Sequence, residues 1–330
     1  MKNVAFFNNK GGVGKTSLVY HIAWMLSLNG ISVLVADLDP QANATSIFLE
    51  EELIDKIWHS SEPATASKAV RSLRKNVGDV AQPHPLKIAD NLHLLAGDLD
   101  LAEFEDQLSE TWPKCLDRDE RAFRVTTALS RVVASAGQRA KANVALIDVG
   151  PNLGAINRAA LIASDHVILP ISPDLFAIRG LENVGPKLRA WRENWSDRKS
   201  RAPDDLDFVL PSGEMRPIGY VISRYSVFAR GPVKTYKKWL DRAPDVYANS
   251  VLNNKSSSDI DNDANLLATL KDYRSLMPLA QEARKPMFSL RPSDGAIGGH
   301  QAAVRECYDD FYQLSKEIMS RIDNIYSLFD

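Results

Sequence analysis

Seven residues near the start of the chain, Lys10-Gly11-Gly12-Val13-Gly14-Lys15-Thr16, bring glycines, two lysines and a hydroxyl together at a spacing that can hold a phosphate chain. Glycines let backbone N–H groups converge on phosphate oxygens with no Cβ in the way. A helix starting at Gly14-Lys15 adds the positive end of its dipole. Lys15 then supplies a point charge to the β- and γ-phosphates and Thr16 a hydroxyl for Mg²⁺, and Ser17 completes the binding run. The flanking elements are those such a loop needs. Val4-Ala5-Phe6-Phe7 predicts a buried strand, and Ser17 to Asn29, closed by Gly30, predicts a helix. Strand, glycine turn and helix together set the run apart from an ordinary turn with two solvated lysines.

The usual pattern, G-x-x-x-x-G-K-[ST], places glycine at position 9. This chain has Asn9, and a second lysine, Lys10, follows. At the start of the loop Lys10 is poorly placed to serve its own γ-phosphate from the side of Lys15, but it can reach across a dimer interface to a partner's nucleotide. K-G-G-V-G-K-T is the deviant Walker A sequence, and the chain resembles the ParA/MinD superfamily of P-loop ATPases.

Two carboxylate runs extend the resemblance. Ser32 to Ala36 reads as a strand covered on both faces. It leads into Asp37-Leu38-Asp39-Pro40-Gln41-Ala42-Asn43, similar to the family's D-x-D-P-Q-x-N switch. Alternation puts Asp37 and Asp39 on one side of the strand end; two carboxylates capping a turn are the alternative. The resemblance implies that Asp39 orients or deprotonates the attacking water and that Asp37 supports Mg²⁺ through its water shell. Asn143 to Ile147 then delivers Asp148, a Walker B pattern with one carboxylate for Mg²⁺. Where the family reads I-D-x-P-P, Gly150 stands before Pro151, which is expected to loosen this second switch while leaving Asp148 in place. A helix from Ala155 to Ala163, with Asn157 inside it, and a strand from His166 to Pro170 follow. Pro173, Phe176 and Gly180-Leu181 resemble the family's next run. The implied catalytic set is Lys10, Lys15 and Asp39, the metal set Thr16, Asp37 and Asp148, and the cofactors ATP and Mg²⁺.

Strand and helix alternate throughout, which predicts an α/β fold: a doubly wound, mostly parallel sheet with helices on both faces. We read residues 1–330 as a single P-loop ATPase domain with insertions near 49–90, 196–216 and 253–265. The first is expected to be a helical excursion, the second a small hairpin, and the third a loop. A strand is expected over 91–97, then a helix through Leu101, Phe104 and Leu108. Further helices are expected over 121–136 and from about Gln301 to Tyr326. At 330 residues and 45% hydrophobic content, a sizeable core is available. The net charge of −2 argues against a globally basic nucleic-acid binder but not against a local patch. Cys115 and Cys307 have no metal-ligand spacing and suit a reducing compartment. The chain opens on a strand-forming run, so no signal peptide is expected. No apolar stretch approaches the roughly 20 residues of a membrane span.

The superfamily couples an ATP-dependent sandwich dimer to DNA, to membrane or to an iron–sulfur cluster held between subunits. An iron–sulfur cluster needs two cysteines per subunit near the dimer axis, which Cys115 and Cys307 do not offer. A membrane helix would use Ile318, Ile322, Ile325 and Phe329, but Glu317, Asp323 and Asp330 flank them where lysine and arginine are wanted; the stripe is expected to pack inward. DNA has local support from a basic run that includes Arg230 and, on a predicted helix, Lys234, Lys237, Lys238 and Arg242, with Tyr236 and Trp239 between; a solvated helix face whose aromatics pack inward is the alternative. Arg284, Lys285 and Arg291 form a smaller basic group. The chain therefore resembles a short ParA-like partition or positioning ATPase, expected in the cytoplasm and on the nucleoid when ATP-bound. The resemblance implies a homodimer, non-specific DNA and a ParB-like or cargo-adaptor protein as partners. A MinD-like membrane-associated regulator and an ATP switch that recruits a partner protein are the alternatives.

Overall fold

The computed structural model describes residues 1–225, 227–228, 231–232, 238–254, 259–273 and 275–322. Along the chain come β1 (Lys2–Phe6), α1 (Lys15–Leu28), β2 (Val33–Asp37), α2 (Asn43–Phe48), α3 (Glu51–His59), α4 (Ala66–Arg74), β3 (Leu86–Ala89) and β4 (Leu92–Leu95). Then follow α5 (Glu105–Lys114), α6 (Glu120–Thr126), α7 (Ala128–Ala140), β5 (Val144–Asp148), α8 (Ala155–Ile162), β6 (His166–Ile171), α9 (Leu175–Ser200) and β7 (Arg216–Tyr225). After the two-residue strands β8 (Val227–Phe228) and β9 (Gly231–Pro232) come α10 (Ala243–Val246), β10 (Leu266–Lys271), α11 (Met277–Ala283) and α12 (Gly299–Arg321).

Eight strands form one sheet in the order β10-β7-β6-β1-β5-β2-β4-β3, and only the edge pair β3–β4 is antiparallel. The central strands are fully buried, as expected where helices cover both faces. Their side chains alternate between two cores. Ala5, Leu34, Ala36, Ala145 and Ile147 face α4 to α9, while Val4, Phe6, Val33, Val35 and Leu146 face α1, α11 and α12. Cys115 lies in the first core and Cys307 in the second, so the sheet separates the two cysteines. β1 lies between β5 and β6, with β2 reached on one side and β6 on the other. Such a reversal point opens a crevice at the carboxyl ends of the strands.

Several boundaries differ from the sequence reading. The 49–90 stretch contains α3 and α4, and also the edge strand β3. The helix expected over 121–136 is two helices, α6 and α7. Thr127 parts them at φ −96° and ψ 2°, outside the helical range, and the Arg124 carbonyl beside it accepts from the Arg131 guanidinium at 2.7 Å. No hairpin forms within 201–215. That segment is irregular and covers Trp195, whose Nε1 donates to the Pro211 carbonyl at 3.1 Å, while Gly213, at φ +68°, presses on the indole ring. In the last insertion, residues 259–265 carry a single turn of 3-10 helix, Ile260–Asn262. Ile318 of α12 and Ile322, directly after it, are fully buried in the core formed with α1 and β10. Ile325, Phe329, Asp323, Asp330 and the expected helix end at Tyr326 lie outside the described residues. Among the described residues, no helix is long and apolar enough to cross a membrane.

Candidate active site

The crevice at the strand ends is occupied by the loop between β1 and α1. The Phe7 N–H donates to the Ile168 carbonyl at 3.0 Å, holding the loop's root against β6. Asn8 is buried; its amide donates to the Pro170 carbonyl at 2.7 Å, and its Oδ1 accepts the Lys10 N–H at 3.0 Å. Gly12 and Gly14 have φ of +74° and +87°, the left-handed region that a Cβ penalises. Gly14 leads directly into α1, so the first N–H groups of a 14-residue helix face the crevice. Ser223 of β7 supports the turn from below by donating to the Val13 carbonyl at 2.5 Å.

Lys15 is 7% exposed, with Nζ 3.5 Å from the Lys10 carbonyl. Burial lowers its pKa, while the carboxylates of Asp148 and Asp39 pull it back up. Thr16 donates its hydroxyl to Oδ2 of Asp148 at 2.7 Å. Asp148 is fully buried, and its Oδ1 has no hydrogen-bond partner among the described residues. Burial, then the neighbouring Asp37, pushes the Asp148 carboxyl up to about 8. Asp37, also fully buried, is pushed up to about 7 by burial. Both its oxygens are used: Oδ2 accepts the Thr45 N–H and hydroxyl, each at 2.7 Å, and Oδ1 accepts the Asp39 N–H at 3.3 Å. Gly97, just after β4, is packed so closely that a Cβ would stand 2.9 Å from Cγ of Asp37. An orphaned carboxylate oxygen beside a threonine hydroxyl is a hard-oxygen donor set that fits Mg²⁺, and a cation there would reverse the upward pKa shifts.

Asp39 lies 6% exposed at the mouth of the same crevice, and its Oδ1 accepts the Gln41 N–H at 3.0 Å. Gly150 faces it, with the position of a Cβ 3.2 Å from that oxygen. Lys10 takes a different direction from Lys15. Its Nζ is 2.5 Å from Oδ2 of Asp174 and 3.3 Å from Oγ of Ser172. Asp174 is also the N-cap of α9, accepting the N–H groups of Phe176 and Ala177 at 2.9 and 3.0 Å. Two clefts, of about 550 and 660 Å³, flank the loop. The first runs over Gly12, Gly14 and Ser17 to Tyr273 and Met277, the second over Lys15 and Thr16 to Asp39 and Arg284.

The structure therefore gathers Lys15, Thr16, Ser17, Asp37, Asp39 and Asp148 at one strand edge, with Lys10 at its margin. Of the basic run, Arg230, Lys234 and Lys237 lie outside the described residues. Lys238 and Arg242 are exposed and lie over the Trp239 ring, 5.4 and 5.2 Å from its centroid. The second basic group is partly committed within the chain: Arg284 donates to the Leu49 carbonyl and Lys285 pairs with Asp294. Sequence reasoning missed Asn8, Thr45, Gly97, Ser172, Asp174 and Ser223 as site residues. Only Asp174 carried a local signal, an aspartate after proline opening a helical run.

A glycine loop between a central strand and its helix, with a Walker B aspartate on the neighbouring strand, defines a P-loop nucleotide-binding fold. The family described as an AAA domain matches residues 1–198, and the chain belongs to it, within the ParA/MinD type of P-loop ATPases. Among curated relatives, Soj of Bacillus subtilis, a sporulation initiation inhibitor protein, is 29% identical over 183 residues, covering 56% of this chain and 63% of Soj. The virulence plasmid ParA family protein pGP5-D of Chlamydia psittaci is 28% identical over 252 residues, 71% of this chain and 85% of that protein. Among solved structures, the putative plasmid partition protein BB_S35 of Borrelia burgdorferi, bound to AMPPNP, superposes with a TM-score of 0.59 at 20% identity, covering 97% of this chain and 98% of that one. At that identity the likeness speaks for the fold alone.

Proposed function

We propose that the chain is a ParA-like ATPase in which ATP closes two copies face to face, the closed dimer holds DNA without reading its sequence, and hydrolysis opens it. The observation that carries the reading is the Thr16–Asp148 pair, with its orphaned oxygen, set between Lys15 and Asp39 at the end of the central strands. The backbone N–H groups of Gly11 to Thr16 and the Lys15 ammonium bind the phosphate chain. Thr16 and Asp148 would hold Mg²⁺ directly, with Asp37 behind them. When bound, the ion offsets charge on the phosphate oxygens. Asp39, held by Gln41 and facing Gly150, accepts a hydrogen bond from the attacking water and sets its direction.

The rim of the crevice supports closure onto a second copy. Pro151, Leu153, Leu175 and Phe176 are exposed, Pro151 lies against Gly11, and Phe176 is 73% exposed two residues after Asp174, the partner of Lys10. An apolar rim around an anion site suits a like surface once the nucleotide charge is enclosed. Lys10 would then leave Asp174 and contact the partner's nucleotide. DNA binding is carried by the family and by the exposed Lys238 and Arg242. Closing the dimer joins two weak patches into one track, which makes binding ATP-dependent.

A DNA mobility shift with a slowly hydrolysed ATP analogue, beside liposome sedimentation, tests the reading. We expect a salt-sensitive shift only with the analogue, lost in the Lys234→Glu, Lys238→Glu double variant with dimerisation intact. A shift that survives that variant would place DNA elsewhere. Sedimentation with anionic liposomes in place of a shift would favour a membrane-associated regulator, and neither result, with dimers still forming, would leave a switch that recruits a partner protein.

A further inference from the structure

The loop that follows Asp148 is held by a side chain of α5, a helix that supplies none of the phosphate-loop residues. α8 begins at Ala155, directly after the Gly150–Gly154 turn. Its first N–H groups need acceptors, as at any helix start. No side chain at the Gly154 cap provides one. Glu105, at the start of α5 and 50 residues earlier, does: Oε1 accepts the Ala155 N–H at 2.5 Å and Oε2 the Ile156 N–H at 2.8 Å. The two bonds are charge-assisted and use both carboxylate oxygens, which fixes the turn in orientation as well as position. Gly154 sits against the same carboxylate so closely that a Cβ would stand 2.6 Å from Oε1. One residue further on, Asn157 reaches back. Its amide donates to the carbonyls of Gly150 and Asn152, each at 2.8 Å. Arg158 ties the same helix to the Leu108 carbonyl of α5 at 3.1 Å. The chain of contacts ends at Gly150, which faces Oδ1 of Asp39.

We propose that Glu105 is a positioning residue for hydrolysis: by gripping the first turn of α8 it sets the 150–154 loop against Asp39 and so fixes where the attacking water stands. The inference rests on the ATPase reading above. Glu105 touches neither nucleotide nor water and acts through α8, Asn157 and Gly150. Leu101 and Phe104 are buried in the core just before it, so the carboxylate is anchored on a rigid element. Loss of the grip leaves the polar contacts of the phosphate cradle in place, because Thr16 is held by Asp148 of β5 and the Val13 carbonyl by Ser223 of β7.

The test compares wild type, Glu105→Ala and Glu105→Gln for ATP turnover, for affinity toward a fluorescent ATP analogue, and for thermal unfolding. A displacement of the water on the order of 1 Å lowers turnover by about a hundredfold. We expect kcat of Glu105→Ala to fall to about that extent while KM and analogue affinity stay within roughly twofold of wild type. Glu105→Gln keeps one acceptor oxygen and should lie between the two. A residue that only stabilises the fold would lower the melting temperature and leave the kcat of the folded fraction unchanged. That result in either variant overturns the proposal, as does KM rising in step with kcat falling. If Glu105→Ala does not fold, Glu105→Gln decides by the same criteria. Absence of turnover in wild type itself would instead refute the ATPase reading on which the proposal rests.

Discussion

Asp174→Asn tests whether the lysine at the start of the loop is held in reserve. In the single chain, Lys10 Nζ lies 2.5 Å from Oδ2 of Asp174, with the two side chains 30% and 35% exposed. At that exposure solvent screens the pair, and its net worth is about 0.5–1 kcal/mol. If ATP-dependent closure requires Lys10 to leave Asp174, each subunit loses this amount, and a symmetric dimer loses it twice, about 1–2 kcal/mol. Asparagine removes the charge yet still caps α9, because a side-chain oxygen remains for the Phe176 and Ala177 N–H groups. The dimer dissociation constant with a slowly hydrolysed ATP analogue should therefore fall by roughly 5- to 30-fold. Sedimentation velocity over a concentration series measures it. Lys10→Ala is the companion and should bind nucleotide without dimerising. An unchanged or weaker dimer in a folded Asp174→Asn protein would refute the argument that the two contacts compete.

Other substitutions follow from the packing. Gly185→Ala should cost about 1–3 kcal/mol in urea unfolding, because a Cβ there would stand 2.0 Å from the Ser250 carbonyl oxygen and force α9 from the segment after α10; an unchanged midpoint would show that this approach is slack. His21 is buried, its Nδ1 2.7 Å from the Ser17 carbonyl and its Nε2 accepting the Met287 N–H at 3.2 Å, and burial lowers its pKa to about 4. A folded value below the usual 6.5 means that the unfolded chain binds the proton more tightly. Its contribution is complete above pH 6.5 and lost as pH falls toward 4, by about 2 kcal/mol between pH 7 and 5. Comparing urea midpoints of wild type and His21→Gln at both pH values checks this, and equal pH slopes would contradict it. Thr16→Ala removes the donor to Asp148 and should abolish Mg²⁺-dependent tightening of nucleotide binding, read by titration with and without the ion.

What could be read from the sequence was what neighbouring residues fix among themselves. The phosphate loop stood out because Gly12, Gly14, Lys15 and Thr16 act within five residues. Asp37 and Asp148 stood out because each ends an apolar strand, and Asp39 because it follows Asp37 at a spacing of two. The contacts that restrain these groups join distant segments: Lys10 with Asp174 is a separation of 164 residues, and Glu105 with Ala155 one of 50. No periodicity records such pairs. Leu86 to Ala89 was hidden as a strand because it is four residues long and follows Pro83 and Pro85. Residues 201–215 carried turn formers, Pro203, Pro211 and Gly213, that suggested a hairpin. Tertiary burial of Trp195 and packing of Leu206, Phe208 and Leu210 on the core use them as an irregular cover instead.

Phosphate release from ATP in a single turnover, with protein in excess and Mg²⁺ present, bears most directly on the central claim that this crevice hydrolyses ATP. Wild type should release phosphate. Asp39→Ala should bind ATP with near-normal affinity and release it at least about a hundredfold more slowly, since directing the water is a transition-state task. Lys15→Ala should fail earlier, at binding. Release by Asp39→Ala at the wild-type rate, or none from wild type with ATP bound, would contradict the account.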